Sequence, residues 1–173
     1  MVDDFELKNR KKIYHLIKKN PGINLTDISK ITKLSIQLID YHASHLEKFN
    51  LIEIDRKIGF RRYYPKDKIG AKEKQYLSVL RREIPLKIVL YLIENPYSHH
   101  RKILDNFEIS ASALTYHLNK LIKNEIIVFT KKEGEHGTYS VKDKNEIIKF
   151  LISYKPHKIL KRFKDTWDEF HIP

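Results

Sequence analysis

The chain has 173 residues, 41% of them hydrophobic, and its 34 Lys+Arg against 22 Asp+Glu leave a net charge of +12. That length holds one large domain or two small ones with their own cores, and the positive field favours polyanions, nucleic acid ahead of anionic membrane. The lack of cysteine excludes disulfides, thiol catalysis and Cys-ligated metal; the opening MVDDFELKNR has no apolar signal stretch, and the longest apolar run, Ile88 to Ile93, is too short to span a bilayer, so a soluble, cytoplasmic protein is expected.

In chain order, KKIYHLIKKNPG places Ile13, Leu16 and Ile17 on one helical face and stops at Asn20-Pro21, because the residue before proline is pushed out of the helical region. LTDISKIT follows as a short second helix capped by Asn24. Ser35 caps a third helix, IQLIDYHASHLEK, and LIEIDRKIGFRRYY reads as strand, Gly-containing turn, strand. Three helices closed by a β-hairpin make a winged helix-turn-helix.

The same text then returns 75 residues later without a gap: Ile13/Ile88, Asn20/Asn95, Pro21/Pro96, Ser35/Ser110, Tyr41/Tyr116, His42/His117, Leu46/Leu121, Gly59/Gly134 and Tyr64/Tyr139. Two copies of one module are expected at about 7–66 and 84–145. In the second copy HHRKILDN is the short helix, with Ser98 as its cap, and Ser110 caps the third. Between the copies, a linker helix is expected from about Lys72 to Glu83, ended by Pro85; after them, two helices broken at Pro156. The expected architecture is mainly α with small β-hairpin wings (α+β). It divides into module one at 1–66, a helical linker at 67–84, module two at 85–145 and C-terminal helices at 146–173.

On a wheel of 100° per residue, Ile39, Ala43 and Leu46 fall on one side of the third helix and Gln37, Tyr41, Ser44 and Lys48 near the other. In the second copy Leu114, Leu118 and Leu121 face in, while Ser112, Tyr116, Asn119 and Lys123 face out. An outward face of amide, hydroxyl, phenol and amine suits base edges and phosphates, since these groups donate, accept and stack. The wings add cations: Arg56, Lys57, Arg61 and Arg62 in the first, Lys131 and Lys132 in the second, there diluted by Glu133 and Glu135. Module one is therefore expected to grip mostly through its wing and module two mostly through its helix.

His42 and His117 lie about 60° from the core axis, which suits a ring with one nitrogen bonded inside the module. A metal role for His42 and His45 is the alternative, but carboxylate or Cys partners at ligand spacing are missing. His99-His100 suits phosphate contact at a helix start. Leu160, Phe163, Trp167 and Phe170 form an aromatic stripe on the last helix, read either as docking onto the chain's own modules or as a homodimer contact. No phosphate loop, nucleophile elbow or zinc signature occurs, so neither an enzyme nor a cofactor is expected.

The segments LSIQLIDYHASHLEKFNLI and ISASALTYHLNKLIKNEII resemble the recognition helix and first wing strand of ArsR/MarR-type winged-helix transcription regulators, in the tandem arrangement common among archaeal regulators. The resemblance implies a sequence-specific regulator of double-stranded DNA, with Gln37, Asp40, Tyr41 and Ser44, and Ser112, Thr115, Tyr116 and Asn119, at base-reading positions. Ser35 and Ser110 match a cap whose hydroxyl also reaches phosphate. Two departures stand out: Ile36 and Leu38 are apolar near the tip of the first recognition helix, and Asp40 adds negative charge beside it. The alternative is a tandem winged-helix adaptor in chromosome organisation or the basal transcription machinery, which would not need cationic wings.

Overall fold

Helix α1 (Asp4–Lys19) ends at Asn20-Pro21, and Gly22 then turns the chain at φ +75°, a conformation open to glycine. Its N–H donates to the Tyr63 carbonyl at 2.8 Å, delivering the chain to a two-residue strand, β1 (Ile23–Asn24). Asn24 both ends β1 and caps α2 (Leu25–Thr32): its Oδ1 accepts from the Asp27 N–H at 2.8 Å and its Nδ2 donates to the Asp27 carboxylate at 3.0 Å. Helix α3 (Ile36–Lys48), capped by Ser35, leads to the hairpin β2 (Ile52–Asp55) and β3 (Arg62–Pro65). The sheet is antiparallel in the order β1-β3-β2, with Ile23 and Ile54 both opposite Tyr63. Ile13, Ile17, Ile28, Ile39, Ala43 and Leu46 from the three helices close on Ile52, Ile54 and Tyr63 as one core. The structure, a computed structural model, describes residues 4–56, 61–131, 133–134 and 136–154.

The second copy repeats this order. Helix α5 (Glu83–Glu94) follows α4 (Ala71–Leu80); then come β4 (Ser98–His99), α6 (His100–Leu104), α7 (Ala111–Lys123), β5 (Ile127–Thr130) and β6 (Thr138–Val141), with sheet order β4-β6-β5. The chain divides into two units between Lys74 and Gln75, inside α4. In the second unit Tyr76 of α4 meets Phe150 of α8 (Lys144–Ser153) edge to face at 5.3 Å, so α8 packs within its own unit. Among the described residues no helix is long and apolar enough to cross a membrane.

Several expectations are corrected. The repeat is not gapless through the wing: Tyr63 and Tyr139, not Tyr64 and Tyr139, hold the same place, opposite Ile23 and Ser98 respectively. The second hairpin contains one extra residue between its strands, so the offset is 75 up to β5 and 76 in β6. Ser98 does not cap α6; it is buried in β4, where its hydroxyl donates to the Asn95 carbonyl at 2.8 Å, and His99 stands at the cap without a side-chain bond to the helix. Pro85 does not end the linker helix. Helix α4 stops at Leu80, and Pro85 sits in the first turn of α5, where a missing N–H leaves no helix bond unmade. Of the two C-terminal helices expected, one corresponds to α8; Pro156, Leu160, Phe163, Trp167 and Phe170, on which the other was read, lie outside the described residues.

Candidate nucleic-acid interface

Each third helix is started by a serine. The Ser35 hydroxyl accepts from the Leu38 N–H at 3.3 Å and that of Ser110 from the Ala113 N–H at 3.2 Å, while Ser110 also shares a hydrogen bond of 3.0 Å with Ser112. With the helix start fixed, the 3.6-residue period sets which side chains emerge. Ile39, Ala43 and Leu46 are buried on α3, and Leu114, Leu118 and Leu121 on α7. Gln37, Tyr41, Ser44 and Lys48, and Ser112, Tyr116, Asn119 and Lys123, are exposed on the opposite sides. Tyr41 is 51% and Tyr116 56% exposed, and the Lys120 amine lies 5.9 Å from the Tyr116 ring.

The flanks of these faces differ. On α3, Asp40 makes an ion pair with Arg61, and Glu47 is bidentate to Arg56 at 2.6 and 2.8 Å. Glu47 also accepts from the Ile54 N–H of β2 at 3.3 Å, and the Arg56 hydrogen bonds hold its carboxyl below the usual range. Arg62 points elsewhere, donating to the Gly22 carbonyl at 2.9 Å. Three of the four cations expected to leave wing one for the backbone thus have partners within module one. The fourth, Lys57, lies outside the described residues, as does Lys132 of wing two. Asp40, Glu47 and Lys48 leave α3 one unit negative, whereas Lys120 and Lys123 make α7 two units positive.

Module two ties its helix differently. Thr115 donates to the Ala111 carbonyl at 2.9 Å and lies 3.0 Å from His100 Nε2. Its one hydroxyl proton being used, the imidazole donates to it. His99 Nδ1 sits 3.2 Å from the Gly137 carbonyl, so this ring nitrogen donates across β4 to the wing. The adjacent histidines therefore join α6 to two different elements. Lys131 is exposed, and α7 has no carboxylate to hold it.

The expectation that His42 bonds inside its module is overturned. His42 is fully buried and neither ring nitrogen has a hydrogen-bond partner; its pKa is lowered by burial first, then by Arg10. His117, less buried, is lowered by burial and by the neighbouring Lys120 and Arg82. Among the described residues no group of three His, Cys, Asp or Glu side chains is placed to hold a metal ion.

The family model described as winged helix-turn-helix DNA-binding matches this chain twice, at residues 6–53 and 81–128. An uncharacterized HTH-type transcriptional regulator of Methanocaldococcus jannaschii is 34% identical over 142 residues, which cover 82% of this chain and 34% of that protein. The chain thus spans about a third of that relative's length. An ArsR-like transcriptional regulator from Rhodococcus sp. RHA1 superposes with a TM-score of 0.41 at 19% identity, covering 57% of this chain and 85% of that one, too low a likeness to carry an inference. The two family matches together span more than half of the residues; one runs from within α1 into β2, the other from just before α5 into β5. The chain belongs to the winged helix-turn-helix DNA-binding family and carries the module twice.

Proposed function

We propose that this chain is a sequence-specific, double-stranded DNA-binding transcription regulator in which α7 reads base edges through Ser112, Tyr116 and Asn119. Lys123 and Lys131 take phosphates beside them. The observation that carries the reading is the exposed polar face of α7, rigidly started at Ser110 and free of any carboxylate. A helix of this kind enters a major groove without repelling the backbone, and its hydroxyl, phenol and amide groups discriminate among bases. Helix α3 offers Gln37, Tyr41 and Ser44 for the same purpose. The test is titration of the full chain with random duplexes and with duplexes enriched by selection. Preference for the selected sequence, and a log–log salt slope several units negative, are expected. A flat salt response overturns DNA binding, and equal affinities overturn sequence reading.

A second reading, a tandem winged-helix adaptor that binds protein, draws on Ile31 and Ile36, which are about half exposed on either side of the first module's turn. Homodimerisation through the C-terminal stripe at Leu160, Phe163, Trp167 and Phe170 is a further part of the proposal. Removing residues from 157 onward should halve the solution mass and shorten the footprint. An unchanged mass and footprint would assign the stripe to another role.

A further inference from the structure

We infer that Asp40 and Glu47 act as internal phosphate substitutes: carboxylates on the recognition helix of module one occupy Arg56 and Arg61 of its own wing and restrain that module's grip on DNA. The inference rests on the DNA-binding reading above and deepens it. It reassigns Asp40 from base contact to control of an arginine.

The geometry is specific to one module. Glu47 offers both oxygens to the Arg56 guanidinium at 2.6 and 2.8 Å and is itself anchored by the Ile54 N–H at 3.3 Å. Asp40, about two turns nearer the helix start, pairs with Arg61 across the other side of the hairpin. A guanidinium presents a planar fork that fits a carboxylate and a phosphate alike, so a bound carboxylate is a direct competitor of DNA. Both pairs are solvent-exposed, with Arg56 and Arg61 side chains 54% and 48% accessible, so opening them is cheap. The restraint is the competition itself: an arginine that leaves its carboxylate for a phosphate gives up one anionic partner to gain another.

Module two has none of these parts. Asp40 corresponds to Thr115, Glu47 to Ile122, Arg56 to Lys131 and, across the one-residue insertion in the hairpin, Arg61 to Gly137. The same backbone plan therefore carries the restraint in only one copy. Its consequence is selectivity: a module that grips any duplex weakly adds little on random DNA and leaves discrimination to α7.

The experiment is Asp40→Asn with Glu47→Gln in the full chain, titrated with a random duplex across a salt series. Both substitutions keep shape, and the amide oxygen introduced by Glu47→Gln would still accept from the Ile54 N–H. Two released arginines should steepen the log–log salt slope by about 2, so that the gain in affinity shrinks about tenfold between 50 and 200 mM salt. Adding Arg56→Gln and Arg61→Gln to that variant should abolish the gain. An unchanged slope overturns the inference. So does a gain that survives loss of the arginines, because simple relief of repulsion then explains it. Failure of the unmodified chain to bind any duplex instead overturns the DNA-binding reading. If the double variant unfolds in a thermal melt, Glu47→Gln alone decides the matter, with a slope change of about 1 expected.

Discussion

Where α3 carries Asp40 and Glu47, α7 carries Thr115 and Ile122, and where the first wing folds Arg56 and Arg61 back onto the helix, the second leaves Lys131 exposed. The helices start from the same serine cap and bury the same three positions. Duplication thus preserved what the fold requires: a cap, an apolar seam and a hairpin. It left free what the exposed face does. Residues that pack are constrained by volume, and residues that flank the face are constrained only by charge and partner.

The seam itself gives the largest test of this comparison. Ala43 and Leu118 occupy equivalent buried places, so the two cores are filled differently at one position. Leu118→Ala should cost about 2–5 kcal/mol through lost burial and a residual cavity. Ala43→Leu should cost about 1–3 kcal/mol by overpacking a site with no room. Chemical denaturation followed by circular dichroism measures both. Similar tolerance of Ala and Leu at the two sites would mean that the cores are equivalent after all.

Next in size is base reading. Asn119→Ala or Tyr116→Ala should reduce discrimination at particular base pairs by about 1–3 kcal/mol, because a lost base contact is felt only where that base stands. Gln37→Ala and Tyr41→Ala on the restrained module should reduce it less. Binding assays on duplexes substituted one pair at a time make the comparison. A greater loss of discrimination from the α3 substitutions would reverse the assignment of the reading helix.

The third helices and their caps were legible in the sequence because the signals are local: a serine followed by apolar residues at helical spacing names both the start and the buried face. The two-residue strands were not, since Ile23–Asn24 and Ser98–His99 become strands only by pairing with segments some 40 residues away in the chain. Ser98, standing before two histidines and an apolar helix, carries the composition of a cap; the pairing of β4 with β6 put it in the interior instead. The one-residue shift in the wing was hidden by adjacent tyrosines, because Tyr63 and Tyr64 each offer a match for Tyr139. The ion pairs of α3 were invisible for a related reason. Helical spacing rules see partners three or four residues apart, and Asp40 meets Arg61 at a separation of 21.

A smaller contrast lies in the turn before each short strand. Gly22 holds φ +75°, and a Cβ there would sit 3.2 Å from the Tyr64 ring, whereas its counterpart Tyr97 holds φ +59° with 68% of its surface exposed. A bulky residue in the left-handed region carries about 1–2 kcal/mol of strain, partly offset because tyrosine has less freedom than glycine to lose on folding. Tyr97→Gly should therefore stabilise the second module by up to about 1 kcal/mol, and Gly22→Ala should destabilise the first by at least that much. Thermal unfolding reads both signs. Stabilisation by Gly22→Ala would show that this turn is not held as described.

The smallest expected difference between the modules is their response to acid. Burial lowers the pKa of His42, with Arg10 and His45 adding to the effect and Glu6 opposing it; His117 is lowered by burial and by Lys120 and Arg82. A histidine whose folded pKa lies below its unfolded value of about 6.5 favours folding fully above that value. Its contribution is lost as pH falls through 6.5 toward the folded pKa, because the unfolded chain then takes up the proton first. Charging the ring in place costs more at His42, fully buried with both nitrogens unpartnered, than at the partly exposed His117. The denaturation midpoint should therefore fall on going from pH 7.5 to 5.5, and His42→Leu should remove more of that fall than His117→Leu. Leucine also replaces two unsatisfied buried nitrogens, so His42→Leu should cost little stability at pH 7.5. If both substitutions flatten the profile equally, burial of the histidine does not distinguish the two copies, and their asymmetry is confined to the charges around α3.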